Sequence, residues 1–228
     1  VPALAVLWLF LRKMPPIEKL QERHELTGFR ALGPYAKPLT LLYLIVVLRT
    51  LAALCFATFM PVMLTLRGMS LAEAGTAMAA YLFASSVGGF LGGPLADRWG
   101  ARFVIFWSLI LAVPFLAVAP LLTGWTFVAV VAIGGFLLQS TLPVNVTFGQ
   151  MIAPISAATV SSLMMGFAWG ISGFVIPLIG GFGDVFGLHT VLVWFVALTA
   201  PGFLLAFWLP SHRTELPLVG SLQYSQGE

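Results

Sequence analysis

Arg49 is the residue whose type and place most need a chemical explanation. It lies about ten residues into the apolar run 39–64, which at ~1.5 Å per residue puts it ~15 Å along a helix, near the middle of a bilayer. Holding an arginine there costs ~2.5–3.5 kcal/mol even on the lenient insertion scale, so it should face the bundle interior or an aqueous cavity. No carboxylate sits at comparable depth, because Glu73, Asp97 and Asp184 all fall at the ends of apolar runs. Its partner is therefore a carbonyl, water, another part of the protein or an anionic substrate. Either a structural ion pair or substrate binding would account for it.

Gln139 and Gln150 are the next candidates for a translocation or binding surface. They are eleven residues apart, about three helical turns, so they share one helix face if the helix continues that far. Pro143 lies near that face and can open the helix, and Asn145 lies about a third of a turn away. Interhelical hydrogen bonding, commonly worth ~0.6–2 kcal/mol, is the alternative role for the glutamines. Trp169 lies deeper in its run than the other tryptophans, most of which flank run ends as interfacial anchors, and is a candidate cavity wall.

A second constellation is the short segment Gly93-Pro94-Leu95-Ala96-Asp97-Arg98-Trp99-Gly100-Ala101-Arg102 between two apolar runs. It is expected to be a tight loop, with Gly100 supplying the turn. An anion at the end of a helix is unfavourably placed with respect to the helix dipole. Asp97 should therefore be offset by Arg98, Arg102 or a neighbouring helix N-terminus. The plainer alternative is a capped turn carrying topogenic arginines. Gly183-Asp184-Val185-Phe186-Gly187 echoes the pattern without the arginines and is read as a turn. Gly88 and Gly92, with Gly89 and Gly93, and the line Gly166, Gly170, Gly173, Pro177 and Gly180, have the spacing of close helix packing.

These residues need apolar elements to hold them. Charged residues are 8% of the chain, against ~25% in soluble domains, and hydrophobic residues are 60%. With a mean hydropathy of +1.01, lipid is the solvent for most of the sequence. Six spans are expected, at 39–64, 73–95, 103–122, 126–147, 159–181 and 190–209. The run 1–11 is too short to span and is expected to end a helix that begins upstream. Residues 12–38 read as a charged, proline-rich linker, and 210–228 as a polar tail. The runs lack the alternation of membrane strands and are too long for them, so the class is all-α.

Six crossings put linker and tail on one side. That side receives Arg12, Lys13, Lys19, Arg23, Arg30, Lys37, Arg98, Arg102 and Arg213, while the other receives Arg67 alone. The bias makes linker and tail cytoplasmic and explains the pI of 9.4 without nucleic acid. The single cysteine, Cys55, precludes an internal disulfide or a thiolate cluster. His24, His189 and His212 lack ligand spacing, so neither a metal nor a cofactor is expected. No Walker-type phosphate loop is present, and no nucleophile–base pair supports the rival reading of a membrane-embedded enzyme. A non-transport membrane binding module stays open.

The Gly93–Arg102 segment resembles the signature loop of the major facilitator superfamily, Gly-x-x-x-Asp-Arg-x-Gly-basic-basic, with Ala101 in place of the first basic residue. That resemblance implies the C-terminal half of a twelve-helix fold: a six-transmembrane-helix bundle of two inverted three-helix repeats. The run 1–11 would be helix 6, and the six spans helices 7 to 12. It also implies a gate in which the Asp97 position bonds to the opposite, N-terminal half, which lies outside this sequence. Phe59-Met60-Pro61, Leu142-Pro143-Val144, Gly149-Gln150 and Met164-Met165-Gly166-Phe167-Ala168-Trp169-Gly170 are similar to the fosmidomycin-resistance branch. Members of that branch are efflux carriers, usually bacterial, whose name-giving drug is an anionic phosphonate. The implied function is proton-coupled export of a small, drug-like molecule by alternating access in a bacterial inner membrane. Arg49 and Gln139 would then face each other across the pathway.

Overall fold

The computed structural model describes residues 29–209, and among them every regular element is helical. The helix end expected at 1–11, most of the linker and the tail at 210–228 lie outside the described residues. After a 3₁₀ segment, Phe29–Tyr35, the bundle comprises α1 (Ala36–Leu66), α2 (Leu71–Trp99), α3 (Ala101–Val118), α4 (Gly124–Ile152), α5 (Ala157–Phe186) and α6 (Leu188–Leu204). α1 to α5 are each long and apolar enough to cross a membrane. α6 has 17 residues and continues as the 3₁₀ turn Leu205–Trp208, which completes the sixth expected span.

Helix ends run past the sequence expectation where local chemistry permits. α2 starts in a capping box, with Ser70 Oγ accepting from the Glu73 amide (3.3 Å) and Glu73 Oε2 from the Ser70 amide (2.8 Å). At its other end α2 runs through Trp99, so the expected loop at 93–102 is a correction. Gly93, Asp97 and Arg98 form the last turns of α2, and the connection to α3 shrinks to Gly100. Gly100 has φ +92°, a conformation open to glycine, and one residue suffices to reverse the chain. The Gly183–Gly187 echo is likewise helical through Phe186, with Gly187 (φ +83°) making the turn.

α1 and α4 form the centre of the bundle. α1 packs against α2, α4, α5 and α6, and α4 against α1, α2, α3 and the start of α5. Burial covers 56% and 50% of their apolar windows, against 28% in α2 and 22% in α5, so the latter two carry the broadest open faces. The tightest approach joins α2 to α4. A Cβ added to Gly88 would collide with the Phe136 carbonyl, and one added to Gly92 with that of Ser140, so the two backbones touch directly. The α5 glycines do otherwise: Gly166, Gly170 and Gly173 have open space where a Cβ would go, which corrects the expectation that they mark close packing. Hydrogen bonds add cross-links, from Tyr81 Oη to the Ala53 carbonyl (3.1 Å) and from Ser140 Oγ to Ser108 Oγ (2.9 Å). Arg67, just past α1, donates to the Pro120 carbonyl (2.6 Å) and to that of Leu122, pinning α1 to the α3–α4 turn.

Gly92→Val is expected to lower the thermal stability of the detergent-solubilised protein by ~1–3 kcal/mol or more, the cost of overpacking against backbone. Gly93→Ala, whose Cβ meets open space, should leave it within ~0.5 kcal/mol. Equal melting temperatures for the two variants would contradict the α2–α4 contact.

Candidate functional site

Arg49 occupies the middle of α1 and is 1% exposed. Its Nη1 donates to the Leu138 carbonyl (3.1 Å) and to Gln139 Oε1 (2.8 Å), both on α4, and Nη2 donates to Thr50 Oγ1 (3.3 Å). Nε is buried with no hydrogen-bond partner. Arg49 and Gln139 are thus in direct contact rather than facing each other across a gap. The Leu138 carbonyl also accepts from Thr141 Oγ1 (2.7 Å), so it serves the arginine in addition to its own helix. Pro143, inside α4, lacks the amide hydrogen that would bond the Gln139 carbonyl.

The contact borders a cavity of about 230 Å³, walled by Arg49, Thr50, Tyr81, Ser85, Gln139 and Trp169, with Ala53, Leu54, Ala57 and Leu82. Four elements contribute: α1, α2, α4 and α5. Ser85 Oγ is buried beside the Tyr81 hydroxyl, a contact short of a full hydrogen bond, and Arg49 Nε on the same wall has no partner, so two under-satisfied polar atoms meet here. Leaving such atoms unsatisfied in a low-dielectric interior costs ~1–3 kcal/mol each, a sign that the resting site is incomplete. Trp169, 44% exposed, closes one side from α5, two residues beyond a π-helical segment at Ser162–Phe167 that shifts the register of the face. Among the described residues no His, Cys, Asp or Glu cluster could hold a metal.

The other expected residues separate from this cavity. Gln150 lies on α4, where its Nε2 donates to Ser161 Oγ (2.7 Å) at the start of α5, a helix-to-helix bond. Asn145 is 1% exposed, and neither of its amide atoms has a partner. Tyr81 and Ser85 escaped the sequence reading. Their signal was weak, a tyrosine and a serine four residues apart in an apolar helix, and only packing against Gly135 brings both inward.

The signature segment divides between two recesses. Gly93, Asp97, Arg98 and Gly100 line a cavity of about 500 Å³ against Pro143, Val144, Thr147, Phe148 and Met151 of α4. Asp97 is exposed and forms no ion pair with Arg98 or Arg102. Arg102 turns away and donates to the Phe207 carbonyl beyond α6. The expected compensation of Asp97 by its own arginines is therefore not found among the described residues.

Comparison with known proteins gives a consistent result. The sequence pattern of the Major Facilitator Superfamily matches residues 42–148, from α1 through most of α4. An uncharacterized MFS-type transporter of Bacillus subtilis (strain 168) is 35% identical over 145 residues, 64% of this chain and 35% of that protein. The fosmidomycin resistance protein of Escherichia coli (strain K12) is 33% identical over 147 residues, 64% of this chain and 36% of that protein. The matched region spans little more than a third of either relative.

Gln150→Leu should cost ~0.6–2 kcal/mol of stability through loss of the Ser161 bond. Binding of any ligand in the Arg49 cavity should be unchanged, as measured by ligand-induced shifts in melting temperature. A lost ligand shift would place Gln150 in the pathway after all.

Proposed function

We propose that the chain, which is similar to the Major Facilitator Superfamily over residues 42–148, belongs to that family and forms the C-terminal half of a secondary carrier that exports a small anionic molecule by alternating access. The observation that carries this reading is the arginine site. A guanidinium buried at the centre of α1 keeps a donor unused beside a cavity whose wall includes a second under-satisfied polar atom, Ser85 Oγ. An anion seated there would satisfy both groups, and a planar carboxylate or phosphonate suits the arginine fork. The similarity to the fosmidomycin resistance protein supports export of a drug-like substrate.

Size argues for a shared site. The cavity's 230 Å³ falls below the ~300–1,000 Å³ usual for small-molecule pockets, so the opposite half of the fold would complete it. Rocking of this bundle against that half would expose the site alternately to each side. Asp97, exposed beside its recess and without an arginine partner among the described residues, would bond to the opposite half as part of the inner gate. Coupling is assigned to a proton. Its carrier would lie in the other half, since Glu73, Asp97 and Asp184 are the carboxylates of the described helices and all sit at helix ends. The bundle would lie in a bacterial inner membrane, with the basic end and the C-terminus cytoplasmic.

In the intact protein, Arg49→Ala should abolish efflux from drug-sensitised cells at an unchanged level of membrane-inserted protein. Arg49→Lys should weaken substrate affinity about tenfold or more, the worth of a charge-assisted hydrogen bond. Ser85→Ala should weaken affinity about fivefold at little cost in thermal stability, because Ser85 Oγ has only its weak contact with the Tyr81 hydroxyl to lose. Normal efflux by Arg49→Ala would overturn the assignment.

A further inference from the structure

The second recess beside the signature segment has a different character. It is a groove of about 370 Å³ between the start of α3 and the turn after α6, lined by Trp99, Arg102, Phe103, Phe106, Trp107 and Phe207 with small residues between them. The aromatic rings form an unbroken series. Trp99 meets Phe103 edge-on (5.8 Å between centroids), Phe103 meets Trp107 (6.0 Å), Trp107 meets Phe106 (5.7 Å), and Phe106 meets Phe207 (4.7 Å). Trp99, Phe103, Trp107 and Phe207 are 45–61% exposed, so the series offers its faces outward rather than to the core.

One charge is built into this apolar lining, and it is positive. Arg102 spends a single Nη2 donor on the Phe207 carbonyl, which fixes its stem at the groove's end, and among the described residues the rest of the fork has no partner. No acidic residue lines the groove. The first turn of α3 also lacks a side-chain cap, so its amide donors remain open next to the arginine. Trp107 lies five residues further along α3, ~7.5 Å deeper towards the membrane interior. The groove therefore has a cationic mouth at the helix end and an aromatic floor running into the membrane.

We propose that this groove binds an anionic phospholipid, its phosphate held by Arg102 and the α3 amide donors and the upper acyl chain laid along Phe103, Trp107 and Phe207. Charge complementarity selects the head group, and the depth of the aromatic floor matches the first methylenes of an acyl chain rather than a soluble anion. The bound lipid would bridge α3 and the end of α6, the same two elements that Arg102 joins through the Phe207 carbonyl. This site is separate from the Arg49 cavity and does not depend on what the protein transports.

The test is quenching of tryptophan fluorescence in the intact protein, reconstituted in phosphatidylcholine vesicles. These contain the same small mole fraction of either brominated phosphatidylglycerol or brominated phosphatidylcholine. Lipid contacting the outer surface at random quenches equally in both, so the ratio isolates a selective site near Trp99 and Trp107. The apparent preference for phosphatidylglycerol should be about fivefold, as expected for one arginine at the membrane surface. Arg102→Gln should bring the ratio to about one, whereas Arg102→Lys, which keeps the charge, should retain most of the preference. Equal quenching by the two lipids, stronger quenching by phosphatidylcholine, or a preference that survives Arg102→Gln would each overturn the proposal. So would a preference that emerges only after deletion of residues 211–228, because the chain's own tail would then be the occupant.

Discussion

A guanidinium in the middle of a membrane-spanning helix has to be satisfied without bulk water, and much of this bundle's organisation follows from where Arg49 finds its partners. Lipid supplies no acceptor, and no carboxylate of the described helices lies at that depth. The acceptors come instead from α4, through the Leu138 carbonyl and the Gln139 amide. A main-chain carbonyl in a helix interior is normally committed to its own ladder. Here the Leu138 carbonyl accepts from both Arg49 and Thr141 Oγ1, using the second lone pair that a carbonyl oxygen offers. The arginine thereby ties together the two most buried helices, and α2 and α5 close around the contact with Tyr81, Ser85 and Trp169.

Small residues do two different things in this fold. On α2 they remove side chains so that the backbone can touch α4, and the result is a rigid pair. On α5 the same spacing, with a π-helical segment at its start, leaves an open and comparatively smooth face that meets nothing within the described bundle. The carrier proposed above would use both kinds of surface, one set holding each half together and another permitting movement.

The two ends of the signature segment are likewise put to separate uses. Extending α2 to Trp99 and turning at Gly100 points Asp97 and Arg98 towards α4, while Arg102 is carried onto α3 and round to the end of α6. Two arginines four residues apart thus acquire different surroundings, Arg98 in the recess against α4 and Arg102 in an aromatic groove beside the end of α6.

Composition and hydropathy alone determined the helical membrane class, because so few charges and such long apolar runs leave no other way to satisfy the backbone in lipid. They also located the helices, although α4 and α5 run on to Ile152 and Phe186, past the expected ends at 147 and 181, and they marked Arg49 as exceptional, since depth along an apolar run can be counted. Gly88 and Gly92 were legible for the same reason: small residues four apart share a face on any helix. What could not be counted was which face meets which neighbour. Gln139 and Gln150 have equivalent spacing and chemistry, yet one bonds Arg49 at the cavity and the other bonds Ser161, because α1 and α5 cross α4 at different heights. Ser85 and Tyr81 became site residues only when Gly135 let α2 settle close to α4. Asp97 and Arg102, five residues apart in one motif, diverged because a single positive-φ glycine sends the chain into a new helix. Spacing fixes positions along one helix, but the pairing of faces between helices is set by packing, and that the tertiary structure decided.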